Sequence, residues 1–353
     1  MTTENRSLVL VVGAGASKEA NLPLGVELKA KIANLLDIRF EGFNQQISGD
    51  INIAQALGVM ARQKGGPSAN INPYLQKCWM IREGMPVAAS IDNFIDAHRD
   101  DEMLAQCAKL GIAGSILEAE ARSLLMADRK SSNPTINLKV LEKTWYSSFF
   151  KILVEGCKLS DLPDRLSRIA IITFNYDRCI ETFLNAALCD YYSIGARAAN
   201  DLLKELVIYH PYGFIGDLLS PASQPHLEFG ITPHPTQLVQ LIERIKTFTE
   251  GTDEEKSDIR DIRNLIDKTE RLAFIGFAFH KQNLKLLYGD RKPSQNGDTR
   301  VYGTSHGISE TDAEFITREL ITLGRYKEDN VKLKNLDCVS FFHEFGRGLS
   351  LTL

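Results

Sequence analysis

The sequence predicts an α/β chain, a doubly wound parallel sheet that carries a large, mostly helical insertion. Three observations lead there. Short apolar runs with strand character recur at 8–12, 169–173, 206–210, 272–277, 300–303 and 338–342. Glycine, proline or asparagine bounds many of them, and stretches of helical periodicity separate them. Continuous rather than alternating apolar runs suit strands that are covered on both faces.

The first run, LVLVV, leads directly into Gly13, Ala14, Gly15, Ala16 and Ser17. About 150 residues then pass before the second run, far more than one crossover helix needs. Within that interval 101–126 and 138–157 read as helices, whereas GGPSANINP and KSSNPTIN carry loop chemistry. The expectation is one α/β domain over 1–353, with the helical insertion at about 37–164. Later in the chain 237–248 and 313–323 show the i, i+3, i+4 spacing of half-buried helices. The acidic stretch GTDEEKSD reads as a solvated helix start.

Composition narrows the function classes. With 353 residues, 44% hydrophobic and 24% charged, the chain resembles an ordinary globular protein. A formal net charge of −4 argues against a surface built for direct nucleic-acid binding, so a small molecule or another protein is the expected partner. No apolar run approaches the roughly 18 residues that cross a bilayer, and the first residues lack signal-peptide order. No membrane association and a cytoplasmic location are therefore expected. The six cysteines include no CxxC pair, so neither a disulfide framework nor a thiolate zinc module is predicted, and no metal is expected.

The turn at 13–17 brings backbone amides and a helix start to the carboxyl edge of a sheet, a place that favours a pyrophosphate. No Gly-Lys-Ser/Thr follows at Walker spacing. Lys18 stands where a dehydrogenase fingerprint has its third glycine, and the acidic residue about twenty positions on is missing. A ligand-free packing turn is an equal reading of this segment taken alone. Pro23 and Gly25 form a second tight loop close behind it, as in a flap folded over a cofactor.

Three later strand ends carry polar groups. ITFNYDRCIE places Thr173, Asn175 and Asp177 where doubly wound sheets bind ligands, although Asp177 also suits an N-cap for a helix at 178–188. VIYHPYG puts His210 at the end of the third run, the best-placed histidine for general base work. RLAFIGFAFH ends its strand at Gly276, and VYGTSHGIS offers Thr304 and Ser305 for the adenosine half of a nucleotide. Ordinary strand-to-helix turns explain each of these last two equally well.

GAGAS followed by LPLG, SIDNFIDA, TFNYD, HPYG, FIGFAFHKQN and YGTSHGIS occur in one order over most of the chain. In these pieces the chain resembles the sirtuin-like NAD hydrolases of bacterial antiphage defence, which implies a Rossmann-like fold. The resemblance implies that Gly13, Ala14, Gly15 and Ser17 hold the pyrophosphate of NAD, with Thr173 beside them. It implies that Asn175 contacts the nicotinamide ribose and helps place the attacking water, and that Asp177 lies near the carboxamide. His210 becomes the catalytic base or a ribose contact, and Gly276 and Thr304 lie along the adenosine half.

Two departures qualify the carry-over. The paired CxxC zinc module of sirtuin deacylases is missing, which speaks against deacylation. Where the defence family often has His-x-His-Gly, this chain has His210, Pro211, Tyr212 and Gly213, so Tyr212 competes with His210 for the acting position. The resemblance further implies a homo-oligomer that works with a separate partner, first a HerA-like ring ATPase and second an Argonaute-type protein. A binding module that senses NAD or ADP-ribose without turnover is the alternative.

Overall fold

The computed structural model describes residues 6–42, 45–128, 135–216, 218, 226–255, 257–289 and 298–351. The chain forms β1 (Leu8–Val12), β2 (Arg39–Glu41), β3 (Gln45–Ser48), β4 (Ile169–Thr173), β5 (Val207–Tyr209), β6 (Arg271–Ile275), β7 (Arg300–Thr304) and β8 (Val331–Lys334). Six of these make one parallel sheet in the order β5-β4-β1-β6-β7-β8, while β2 and β3 pair antiparallel as a separate ribbon. From β1 the chain adds strands first on one side and then on the other. The order therefore reverses between β1 and β6, the place where doubly wound sheets form their ligand crevice.

Strand periodicity assigns the core. Val9, Val11, Ala170, Ile172, Leu272 and Phe274 face one layer, and Leu8, Leu10, Ile169, Ile171, Ala273 and Ile275 face the other. The first layer is closed by helices Gly25–Leu36, Ile51–Gly65, Glu102–Ala121, Pro235–Ile242, Ile259–Lys268 and Lys281–Tyr288. The second is closed by Trp145–Val154, Leu162–Ser167, Cys179–Tyr192, Ala196–Leu203 and Cys338–Leu349. The long interval between β1 and β4 thus supplies helices to both faces. Among the described residues no helix is long and apolar enough to cross a membrane.

Two expectations at element level are corrected. The apolar run at 338–342 is not a strand but the start of helix Cys338–Leu349. Asp337 caps it by accepting from the Ser340 amide at 2.7 Å, and Cys338, Phe341, Phe342, Phe345 and Leu349 form its buried stripe. The final strand is instead VKLK, a half-exposed edge strand whose lysines disguise it. The helix expected at 237–248 ends at Ile242, and a separate short helix, Phe248–Thr252, follows behind a Thr247/Glu250 capping box.

Candidate functional site at the carboxyl edge of the sheet

Each strand that carried a polar motif ends at the same edge, because β1, β4, β5, β6 and β7 all run parallel. After β1 the chain turns through Gly13 into a single helical turn, Ala14–Ser17, and then a 3-10 turn, Lys18–Ala20. Trp145 supports this turn from beneath. Its indole Nε1 donates to the Ala16 carbonyl at 2.9 Å, and its amide donates to Glu19 Oε2 at 2.6 Å. Burial, with Asp337 nearby, raises the Glu19 carboxyl to about 7. The second loop is fixed by Glu27, which accepts from the Leu24 amide and pairs with Lys18.

Across the switch point the two glycine turns meet backbone to backbone. The Gly15 amide donates to the Gly276 carbonyl at 2.9 Å, and the Gly13 amide donates to the Ile275 carbonyl at 3.0 Å. Gly276 has φ +57°, and its own amide donates to Thr304 Oγ1 at 2.9 Å. A Cβ on Gly276 would lie 2.1 Å from the Ala16 nitrogen, and one on Gly13 would lie 2.5 Å from the Gly276 carbonyl oxygen. Only glycine fits this seam. Gly13, Gly15, Gly276 and Thr304 are therefore in one structure, and the amides of Gly13 and Gly15 are engaged in holding it together.

On the other side of β1 lies a buried polar network. Asn175 donates through Nδ2 to Ser17 Oγ at 2.8 Å and to the Gly13 carbonyl at 3.1 Å, and its amide donates to Thr173 Oγ1 at 3.2 Å. Both side-chain amide hydrogens of Asn175 are thus used, which leaves its Oδ1, an acceptor, as the side-chain group that a ligand or water can address. Asp177 accepts from the Cys179 amide at 3.1 Å, a local turn bond rather than the expected N-cap, because the helix begins at Cys179 with Arg178 in the N-cap position. Burial pushes the Asp177 carboxyl up, while hydrogen bonds from Ser17 and Cys179 pull it back down.

His210 closes the network. Its Nδ1 lies 3.3 Å from the Asn175 carbonyl oxygen, and its Nε2 lies 2.9 Å from Glu181 Oε1. Tyr212, two residues on, points elsewhere: its phenol donates to Asn283 Oδ1 at 2.8 Å, and its ring packs against Phe174 and Tyr176. Phe277 and Phe279 extend this aromatic layer, with ring centroids 5.1 Å apart and Phe174 at 5.1 Å from Phe277. Of the two candidates in HPYG, His210 joins the Asn175 network and Tyr212 joins the aromatic layer.

Sequence reasoning missed four acidic or basic residues here. Glu181, in the first turn of helix Cys179–Tyr192, passes for an ordinary helix-dipole partner. Asp92 of SIDNFIDA hydrogen-bonds the Tyr176 hydroxyl, which ties the region between β1 and β4 to the strand end. Burial raises the Asp92 carboxyl against the pull of that bond. Glu120 and Arg178 form a buried pair, with Nη2 to Oε2 at 2.6 Å and Nε to Oε1 at 3.1 Å. Arg178 also reaches the Leu227 and Glu228 carbonyls.

A groove lined by Leu159, Pro163, Ile194 and Leu202 lies among residues that lead into β4 and β5, away from the polar network. Among the described residues no group of His, Cys, Asp and Glu has the arrangement of a metal site. Fold and site define a doubly wound α/β protein with a buried Ser-Asn-Asp-His cluster beside its switch point. No protein-family model matches the chain, and no curated protein matches it significantly.

Proposed function

We propose that the chain hydrolyses NAD to nicotinamide and ADP-ribose, in line with the sirtuin-like resemblance of its motifs. The observation that carries the reading is the meeting of Ser17, Asn175, Asp177 and His210, from three separate strand ends, at the carboxyl edge: Asn175 and Asp177 both hydrogen-bond Ser17, and His210 Nδ1 lies 3.3 Å from the Asn175 carbonyl oxygen. Breaking the nicotinamide–ribose bond expels a neutral group from a cationic ring, so little acid catalysis is needed. What is needed is a pocket that poses the sugar, stabilises an oxocarbenium-like state and places water. Asn175 Oδ1 is suited to accept a hydrogen bond from that water. His210 lies one carbonyl away, as a base or a ribose contact. Gly13, Ala14, Gly15 and Ser17 would receive the pyrophosphate, and Gly276 and Thr304 would border the adenosine half.

Release of nicotinamide from NAD by the full chain tests this, with Asn175→Ala and His210→Ala alongside and each repeated in the presence of a HerA-like ATPase. Loss of release in both variants is expected. Undiminished release in both would overturn the assignment. The resemblance also supports a homo-oligomer acting in the cytoplasm as the toxic effector of an antiphage system, with the ring ATPase or, second, an Argonaute-type partner. Light scattering at micromolar concentration checks the oligomer, and a monomer there would refute it.

A second reading, an NAD or ADP-ribose sensor without turnover, would use the same cradle. The amides of Gly13 and Gly15 are already paired across the seam. Calorimetric binding of ADP-ribose without nicotinamide release from NAD, with and without partner, would select the sensor.

A further inference from the structure

His210 has an oxygen acceptor on each ring nitrogen. The contact to Glu181 Oε1 at 2.9 Å is the shorter, and the one to the Asn175 carbonyl at 3.3 Å is the longer. Both side chains are buried, with 4% of His210 and 8% of Glu181 exposed. A buried carboxylate beside an imidazole nitrogen fixes the proton on that nitrogen and sets the ring's orientation, as in the acid–histidine pairs of hydrolases. Glu181 has a second peculiarity. Its Oε2 is buried without a hydrogen-bond partner, a deficit that purely structural pairs are normally built to avoid.

We infer that Glu181 is a positioning residue for His210: it holds the ring proton on Nε2 and so assigns Nδ1, the nitrogen beside Asn175, as the one that exchanges a proton with substrate. With the proton on Nε2, Nδ1 turns a lone pair toward the Asn175 carbonyl oxygen and makes no hydrogen bond there, so this contact yields when a substrate hydroxyl or water arrives to donate to Nδ1. The part concerning turnover rests on the hydrolase reading; the proton placement does not.

The test uses the full chain labelled with 15N-histidine, with the His210 signals assigned by their loss in His210→Gln. Wild type is expected to show a protonated Nε2 with a downfield, slowly exchanging ring N–H. Glu181→Gln, which keeps the size but offers a neutral amide in place of the carboxylate, should move that signal upfield and speed its exchange. A bare Nε2 in wild type, or an unchanged spectrum in Glu181→Gln, overturns the inference whatever the activity.

Nicotinamide release is then measured on the same proteins. Glu181→Gln should lower kcat about a hundred-fold with KM within about three-fold, the pattern of a lost transition-state contribution. Glu181→Asp, which retains the charge, should recover at least about ten-fold of that loss. Full kcat in Glu181→Gln overturns the positioning role. A wild type with the protonated Nε2 but no release under any condition supports the pair and sinks the hydrolase reading.

Discussion

The Glu120–Arg178 pair gives the most quantitative prediction. Glu120 sits on helix Glu102–Ala121, and Arg178 sits between Asp177 and the helix that carries Glu181, so the pair ties the region between β1 and β4 to the strand end of the site. Their side chains are 0% and 1% exposed. Replacing Glu120 by Leu leaves a buried guanidinium whose remaining partners among the described residues are the Leu227 and Glu228 carbonyls and the face of the Phe229 ring. It also removes the acceptor of the Arg178 and Gly230 amides. Uncompensated buried charge of this kind costs about 3–5 kcal/mol. Replacing Arg178 by Met costs less, about 2–3 kcal/mol, because Glu120 keeps both amide donors and can take up a proton. Since that proton must come from solvent, the cost of Arg178→Met should shrink as pH falls. The double variant Glu120→Leu/Arg178→Met should lie about 2–4 kcal/mol below wild type, well short of the sum of the singles, because the Arg178 and Gly230 amides lose their acceptor but no buried charge remains. Urea unfolding followed by the fluorescence of Trp79 and Trp145 gives all three values. A double variant as unstable as the sum of the singles would refute the reasoning.

Other variants probe neighbouring parts of the fold. Gly276→Ala must place a Cβ 2.1 Å from the Ala16 nitrogen at φ +57°, and a loss of roughly 3 kcal/mol or more is expected by thermal melting; a loss under about 1 kcal/mol would mean the seam is loose. Glu19 has its carboxyl raised from 4.5 to about 7, chiefly by burial. Below pH 4.5 it is protonated whether folded or unfolded, whereas between 4.5 and 7 the unfolded chain ionises first, so stability falls as pH rises and the loss is complete above 7. The shift corresponds to about 3 kcal/mol, which solvent screening of this partly open group reduces to about 1–2 kcal/mol. Glu19→Gln should therefore gain on wild type by that amount between pH 4 and pH 8 in urea unfolding, and a pH-independent difference would contradict it. Tyr212→Phe loses only the bond to Asn283. It should cost about 1 kcal/mol and leave nicotinamide release within about three-fold of wild type, so a collapse of release would give Tyr212 the role assigned to His210.

Local chemistry made the sheet and most of the site legible. LVLVV and IAIIT read as covered strands because they are apolar at every position but Thr173, and both are fully buried. Parallel strands then put all their ends on one edge, so the strand-end motifs converge without any long-range information. What stayed hidden depended on distant partners. Glu120 follows Glu118 in a helix that also carries Glu102 and Lys109, so nothing local marks it as buried, and Arg178, which makes its burial tolerable, is 58 positions away. Glu181 has the residue type and place of a routine helix start, and only the fold shows His210 against it. VKLK and the β2–β3 ribbon were missed because half-exposed strands lack the apolar continuity that marks covered ones.

The closed seam between the two glycine turns bears on whether 13–17 can hold a pyrophosphate at all. A phosphate oxygen that takes the Gly15 amide must replace the Gly276 carbonyl. The bond given up is a neutral one, with a net worth of about 1 kcal/mol. The bond gained is to an anion, about twice as strong and favoured further by the helical turn behind it. The exchange therefore favours the anion provided the Gly276 carbonyl regains water or another donor. Paired amides in the resting chain are thus compatible with phosphate binding, so they do not by themselves select the sensor over the hydrolase. That choice depends instead on Asn175 and His210: whether Oδ1 and Nδ1 can both face the ribose once the seam has opened.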